Sequence, residues 1–238
     1  TTQLQYRAFT LVEMLVVVAI IAILASILIP VVGRAKTKAK VAAARVEMAG
    51  LELAIKSYQK DYNRWPVPKI TPEKKDKWIN ELNDFTYGVN LTGKETPGNE
   101  ALMEILMAKD GSFNPRHGRN PKKNKYIEPK ESGEVNGFPG LSTTGRYHDP
   151  FGNEYFISLD LSGDGVCADT AYSRPDIAGS DGGGLVGLVH YKEIKEQSPM
   201  DLYVYKGEVM IWSFGPDKAA DGNPASEGLN KDNILSWR

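Results

Sequence analysis

Residues 9–32 read FTLVEMLVVVAIIAILASILIPVV, and this stretch decides the fold. Twenty of its 24 positions are apolar, the exceptions being Thr10, Glu13, Ser26 and Pro30. A helix of about 20 apolar residues, rising about 1.5 Å per residue, spans a bilayer core of about 30 Å. The apolar core of a cleaved secretory signal is shorter, about 7 to 15 residues, and is followed by unrelated sequence. A core helix of a soluble protein that is apolar all round needs a large body to cover it. The loop-rich remainder of the chain is unsuited to that, so the stretch reads as a single membrane anchor carrying a hydrophilic domain.

Moving outward toward the C-terminus, residues 33–62 stay helix-compatible, rich in Ala, Lys, Arg, Glu, Met and Leu, with no proline until Pro66. Val41, Ala44, Met48, Leu51, Ile55, Tyr58 and Tyr62 follow one another at spacings of three and four, which puts them on one helix face that requires a partner. Arg34, Lys36, Lys38, Lys40 and Arg45 make the segment just past the apolar run basic, and Pro30 with Gly33 offers a kink. The economical reading is one helix of roughly 50 residues, half in lipid and half packed on a domain. On the N-terminal side only eight residues precede the run, with Arg7 the single cation, so the positive-inside rule by itself would place the basic flank in the cytoplasm.

The whole chain carries 29 Lys and Arg against 30 Asp and Glu, a net charge of −1, which lacks the strong positive field of a dedicated nucleic-acid binder. A single cysteine, Cys167, excludes an internal disulfide and a multi-cysteine zinc site. His117, His148 and His190 have no partner at metalloprotease spacing, and neither a nucleophile elbow nor a P-loop is present. No enzyme is expected.

The residues around the start of the apolar run resemble a known family. Arg7-Ala8-Phe9-Thr10-Leu11-Val12-Glu13-Met14-Leu15-Val16-Val17 is similar to the class III signal of type IV pilins and type II secretion pseudopilins: a short leader, a cleavage site before Phe, then Thr-Leu-Val-Glu. The resemblance implies cleavage between Ala8 and Phe9 by a prepilin peptidase, with N-methylation of Phe9. It also implies a role for Glu13 in assembly, pairing with the N-terminal amine of a neighbouring subunit. A carboxylate at the edge of an apolar span is costly unless paired or functional. The plainer reading is an acidic residue in a first helical turn, favourable to the dipole by about 0.3 to 1 kcal/mol. Family precedent reverses the charge count: leader in the cytoplasm, basic helix and globular domain in the periplasm.

Four segments then follow by sequence: a leader, 1–8; the hydrophobic then amphipathic helix, 9–62; a loop-rich helical insert, 63–147; and a sheet region, 148–238. Nine of the 14 prolines fall between Pro66 and Pro150. In the insert, Thr71-Pro72-Glu73 predicts a helix running to about Phe85, and Asn99 predicts the cap of another with Leu102, Ile105 and Leu106 inward, ending near Asp110-Gly111. The basic stretch 112–136 reads as an exposed loop. Beyond His148, residues 153–159, 185–191, 202–206 and 208–214 read as strands, the last two joined around Gly207, in a small antiparallel sheet whose apolar face meets the helix. The expected architecture is α+β and pilin-like.

The C-terminal region carries a second resemblance. Asp149-Pro150-Phe151-Gly152-Asn153-Glu154-Tyr155, Ser213-Phe214-Gly215-Pro216-Asp217 and Asn230-Lys231-Asp232-Asn233-Ile234 with Trp237 are similar to segments of the major, G-type pseudopilins. In that family the last loop binds calcium through aspartates and backbone carbonyls, which implies Ca2+ at Asp217 and Asp232, with Asp221 and Asn230 as further ligands. A solvated turn is the other reading. Asp160-Leu161-Ser162-Gly163-Asp164-Gly165 matches only the start of an EF-hand loop, with Ala171 where the bidentate Glu is required, and reads as a tight turn.

The resemblance implies a structural subunit of a type II secretion pseudopilus, promoting protein export. The implied partners are other pilin or pseudopilin subunits, prepilin peptidase and an inner-membrane assembly platform. A single-pass inner-membrane stage would precede the filament. The alternative is a minor type IV pilin whose insert binds a surface or ligand.

Overall fold

A computed structural model of the chain describes residues 10–88, 96–178, 187–196, 198–220, 223 and 227–238. The chain divides into two units, up to Lys40 and from Val41 onward. Helix α1, Leu11–Tyr62, contributes to both and continues through Pro30. Its first 22 residues are long and apolar enough to cross a membrane, and none of the described residues before Val41 is buried.

From Val41 the picture changes. Ala44, Met48, Leu51, Ala54, Ile55 and Tyr58 are buried, the face read from the three-and-four spacing with Ala54 added. After α1 come helix α2 (Pro72–Trp78), strand β1 (Phe85–Tyr87), helix α3 (Glu100–Leu106) and the short pair β2 (Gly140–Leu141) and β3 (Tyr147–His148). Then follow β4 (Phe156–Leu159), α4 (Pro175–Ala178), β5 (Val189–His190), α5 (Tyr191–Ile194), β6 (Tyr203–Val204), β7 (Val209–Ser213) and β8 (Ile234–Leu235). The main sheet has the order β1-β4-β7-β8, antiparallel throughout, with Phe85 opposite Leu159, Ile157 opposite Ile211 and Ser213 opposite Ile234. This α+β architecture, a long apolar N-terminal helix followed by a small antiparallel sheet, is consistent with a pilin-like fold.

The α1 face packs with Ile157, Leu159, Val209 and Ile211, which alternate along β4 and β7 onto one side of the sheet. The sequence reading gave the sheet a single apolar face. Instead the opposite side is also covered, where Phe156, Met210 and Trp212 pack with Cys167, Tyr172 and Ile177. Phe156 and Trp212 stack at 4.2 Å between ring centroids. Two covered faces explain why the strands read as near-continuous apolar runs.

Three local expectations need correction. Helix α2 stops at Trp78, not near Phe85, because the Asn80 side chain accepts the backbone N–H groups of Leu82 and Asp84 and Asn83 adopts φ 67°. That side-chain competition turns the chain directly into β1. Asn99 precedes α3 but makes no capping bond with its side chain; α3 ends at Leu106, well before Asp110. Finally, β6 and β7 are not a hairpin: β6 pairs with β5, β7 pairs with β4 and β8, and Tyr205 bridges to Cys167.

The stretch 112–136 is also more anchored than an exposed loop. Asn114 and Asn120 are fully buried. Asn114 bonds Lys109, Arg119 and Asn120 backbone groups, and Asn120 donates to the carbonyls of Ile105 and Asn124.

Candidate functional site

At the head of α1, Thr10 stands directly before the first helical residue. Its backbone N–H and its hydroxyl donate to Glu13 Oε2 at 2.8 and 2.7 Å, and the Glu13 N–H donates back to Thr10 Oγ1 at 3.2 Å. This reciprocal pair is a capping box, satisfying donors that a helix start leaves orphaned. The Thr-x-x-Glu spacing is the signal for it, and sequence reasoning credited Glu13 only with a dipole or assembly role. Ala8 and Phe9 lie outside the described residues.

The C-terminal loop is assembled from all three segments of the second resemblance. Asp149 accepts the N–H groups of Phe151 and Asn153 at 2.8 Å each through Oδ1, and Ser213 Oγ donates to its Oδ2 at 2.8 Å. Asn153 Nδ2 then donates to the Gly215 carbonyl at 2.8 Å. Gly215, at φ 71°, approaches the third segment so closely that a Cβ there would lie 2.2 Å from the Asp232 carbonyl oxygen. Only glycine fits.

This clamp delivers Asp217 beside Asp232: the Asp217 N–H donates to Asp232 Oδ2 at 3.2 Å, and the Asp217 carboxylate accepts from Ala219 N–H at 3.0 Å. Partial burial, then the neighbouring Asp217 charge, pushes the Asp232 carboxyl above its ordinary value. Two carboxylates crowded in this way are the part of the predicted calcium set that the structure brings together. Asn230 is buried, with its amide donating to the Asn223 carbonyl at 2.7 Å. Asp221 lies outside the described residues. Among the described residues, no group of three or more His, Cys, Asp or Glu gathers that could hold a metal ion.

The remaining candidates take structural places. Asp160 accepts from Ser162 Oγ at 2.9 Å, Gly163 N at 2.6 Å and Gly165 N at 2.8 Å, closing a tight turn. Cys167 is fully buried, and burial followed by Asp84 and Asp169 drives its thiol up, away from reactivity. His148 is buried and pushed down by desolvation, and His190 contacts Asp201 at 2.8 Å. Sequence reasoning missed Glu47, which accepts the Tyr155 hydroxyl at 2.6 Å and whose carboxyl burial raises.

Residues 4–29 match the Prokaryotic N-terminal methylation motif, a prepilin-type sequence. No curated protein and no solved structure matches the chain. The match supports a type IV pilin- or pseudopilin-like protein, anchored in the membrane by its apolar helix, and it implies processing by prepilin peptidase and assembly with other pilin subunits. Proteins with this motif serve as structural subunits and are in general not enzymes.

Proposed function

We propose that the chain is a structural pseudopilin of a type II secretion system, cut between Ala8 and Phe9, methylated on Phe9, and assembled through its N-terminal helix into a filament with the globular domain on the periplasmic side. The observation that carries this reading is the methylation motif lying on a helix that buries no residue before Val41 yet packs a full α+β core after it. Apolar surface left open over that length calls for lipid or neighbouring helices. Glu13 would leave its Thr10 partner to pair with a neighbour's amine, a pairing that fixes register more than it stabilises.

The mature N-terminus, purified from native membranes and read by mass and sequence, tests the processing step. A chain beginning at N-methylated Phe9 is expected; an intact leader, or a cut after the apolar run, overturns it. Deletion of the gene separates the two filament types, since a pseudopilin is required for export across the outer membrane and a pilin for surface fibres.

Calcium in the C-terminal loop belongs to the same reading. Asp217 and Asp232 would supply two carboxylates to a cation that takes about 6 to 8 oxygens, and the repulsion between them would be relieved by its charge. Calcium should then raise the unfolding midpoint, and Asp217→Ala should abolish the rise. A midpoint insensitive to calcium removes the ion from the proposal.

A further inference from the structure

Between α2 and the loop after α3 lies a cleft of about 560 Å3 whose described lining includes Lys69, Lys74, Trp78, Phe113 and Arg119 and, among the described residues, no acid. A neighbouring cleft that shares Phe113 is lined instead by Glu100, Glu104, Asp110 and Glu131. Acidic side chains thus line the neighbouring cleft, in a chain whose overall charge is close to neutral.

The Arg119 backbone is anchored on both sides of its peptide unit. Its N–H donates to the fully buried Asn114 at 2.9 Å, and its carbonyl accepts from Tyr58 OH and from Arg64 Nη2, the latter at 2.7 Å. Arg64 also donates to the Gly118 carbonyl at 3.2 Å, which fixes a second guanidinium against the same turn. The Nε atoms of both arginines are buried without an acceptor, and among the described residues neither arginine pairs with a carboxylate. Burial first, and the Arg64 charge second, hold the Arg119 guanidinium below its ordinary value. The loop that presents it contains two successive non-glycine residues in the left-handed region, Arg116 at φ 54° and His117 at φ 56°. Such strain persists only where the surroundings impose it, and it concentrates at binding sites.

Two half-buried guanidiniums without a counter-ion are costly, and an oxyanion offsets that cost through charge-assisted, often bidentate hydrogen bonds. We propose that this cleft binds an organic anion bearing a carboxylate or phosphate group, with Arg119 as its principal contact, Lys69 and Lys74 flanking it, and Trp78, Phe113 and Pro68 meeting its apolar part. Lys74 Nζ already lies 4.4 Å from the centre of the Trp78 ring, so charge and apolar surface are juxtaposed. Such a site would give the insert a recognition role whichever filament the chain joins.

The test uses the full chain in an uncharged detergent, in metal-free buffer, with inorganic phosphate and succinate as probes against chloride at matched ionic strength. At least one probe should raise the unfolding midpoint saturably and give a saturable heat by calorimetry. The probe that saturates identifies the anionic group. Lys69→Gln with Lys74→Gln, both exposed in the native chain, should raise the half-saturating concentration about tenfold, and Arg119→Gln should abolish saturation. Should Arg119→Gln fail to fold, the lysine pair still decides the matter. The proposal is overturned if neither probe saturates, or if the double lysine variant responds as the native chain does.

Discussion

The two halves of α1 are built from similar helix-forming residues and meet opposite fates. From Val41 to Tyr62 every third or fourth residue is buried against the protein's own sheet, while from Leu11 to Lys40 none is. The difference teaches that an apolar helix finds its partner inside the chain only when its apolar positions are confined to a stripe. A stripe matches one sheet face; apolar residues on every side demand an environment that surrounds the helix, which is lipid or a bundle of other helices. In the second half, Val46 and Leu53 remain 73% and 68% exposed because they sit off the stripe.

The strongest way to break this contrast is to cut the stripe. Leu51 is fully buried, and Leu51→Ala is expected to cost about 2 to 5 kcal/mol through lost transfer and the cavity left behind. Leu53→Ala, two residues away, should fall within about 0.5 kcal/mol of the native chain, as off-core substitutions do. Urea unfolding followed by near-UV dichroism of the four tryptophans, all of which lie in or against the cores of the domain, measures both. Equal effects at Leu51 and Leu53 would remove the stripe as the organising feature.

A second prediction uses pH. Asp84 is 1% exposed, its Oδ2 accepts Ala168 N–H at 2.9 Å, and its Oδ1 has no hydrogen-bond partner. Burial, reinforced by Asp160 and Asp164, pushes its carboxyl up to about 7. A carboxyl that titrates higher in the folded state than in the unfolded chain binds an extra proton on folding. Its contribution is therefore fully present below the unfolded value of about 3.9 and is lost as pH rises toward 7. Domain stability should fall over that window, and Asp84→Asn, which cannot ionise, should flatten the fall. A native profile that rises between pH 4 and 7 and is unchanged in Asp84→Asn would contradict this assignment.

Legibility in the sequence followed the same division. The membrane-competent segment, the buried stripe and the α+β class were readable because each rests on a period or a length that the residues carry themselves. The end of α2 was not, since it depends on the Asn80 side chain accepting from the N–H groups of Leu82 and Asp84, in a turn whose register only the folded chain defines. The pairing of β6 was hidden for a related reason: Gly207 between two branched runs looks like a hairpin turn, but β5 and Cys167 compete for that strand and win. Arg119 was read as one cation in a basic loop. Its lack of an acidic partner among the described residues became visible only once Tyr58, distant in sequence, and the nearby Asn114 were seen to anchor its backbone.

The smallest predicted effect lies at the head of α1, and it tests the contrast where the described residues are exposed. Among the described residues none before Val41 is buried, and the bonds of the first turn are local, chiefly the reciprocal pair between Thr10 and Glu13. Thr10→Ala removes the hydroxyl that both donates to Glu13 and accepts from its N–H, at an expected cost of about 1 kcal/mol, while Thr10→Ser keeps both bonds and should cost only a fraction of that. The readout is hydrogen exchange at the amides of Val12, Glu13 and Met14 in detergent, where Thr10→Ala should speed exchange about fivefold relative to Thr10→Ser. Because no described residue of this turn is buried, the unfolding midpoint of the region from Val41 onward should not move in either variant. A shift there would mean that the head of α1 is coupled to the folded core after all, and a first turn indifferent to Thr10→Ala would mean that something other than the cap holds it.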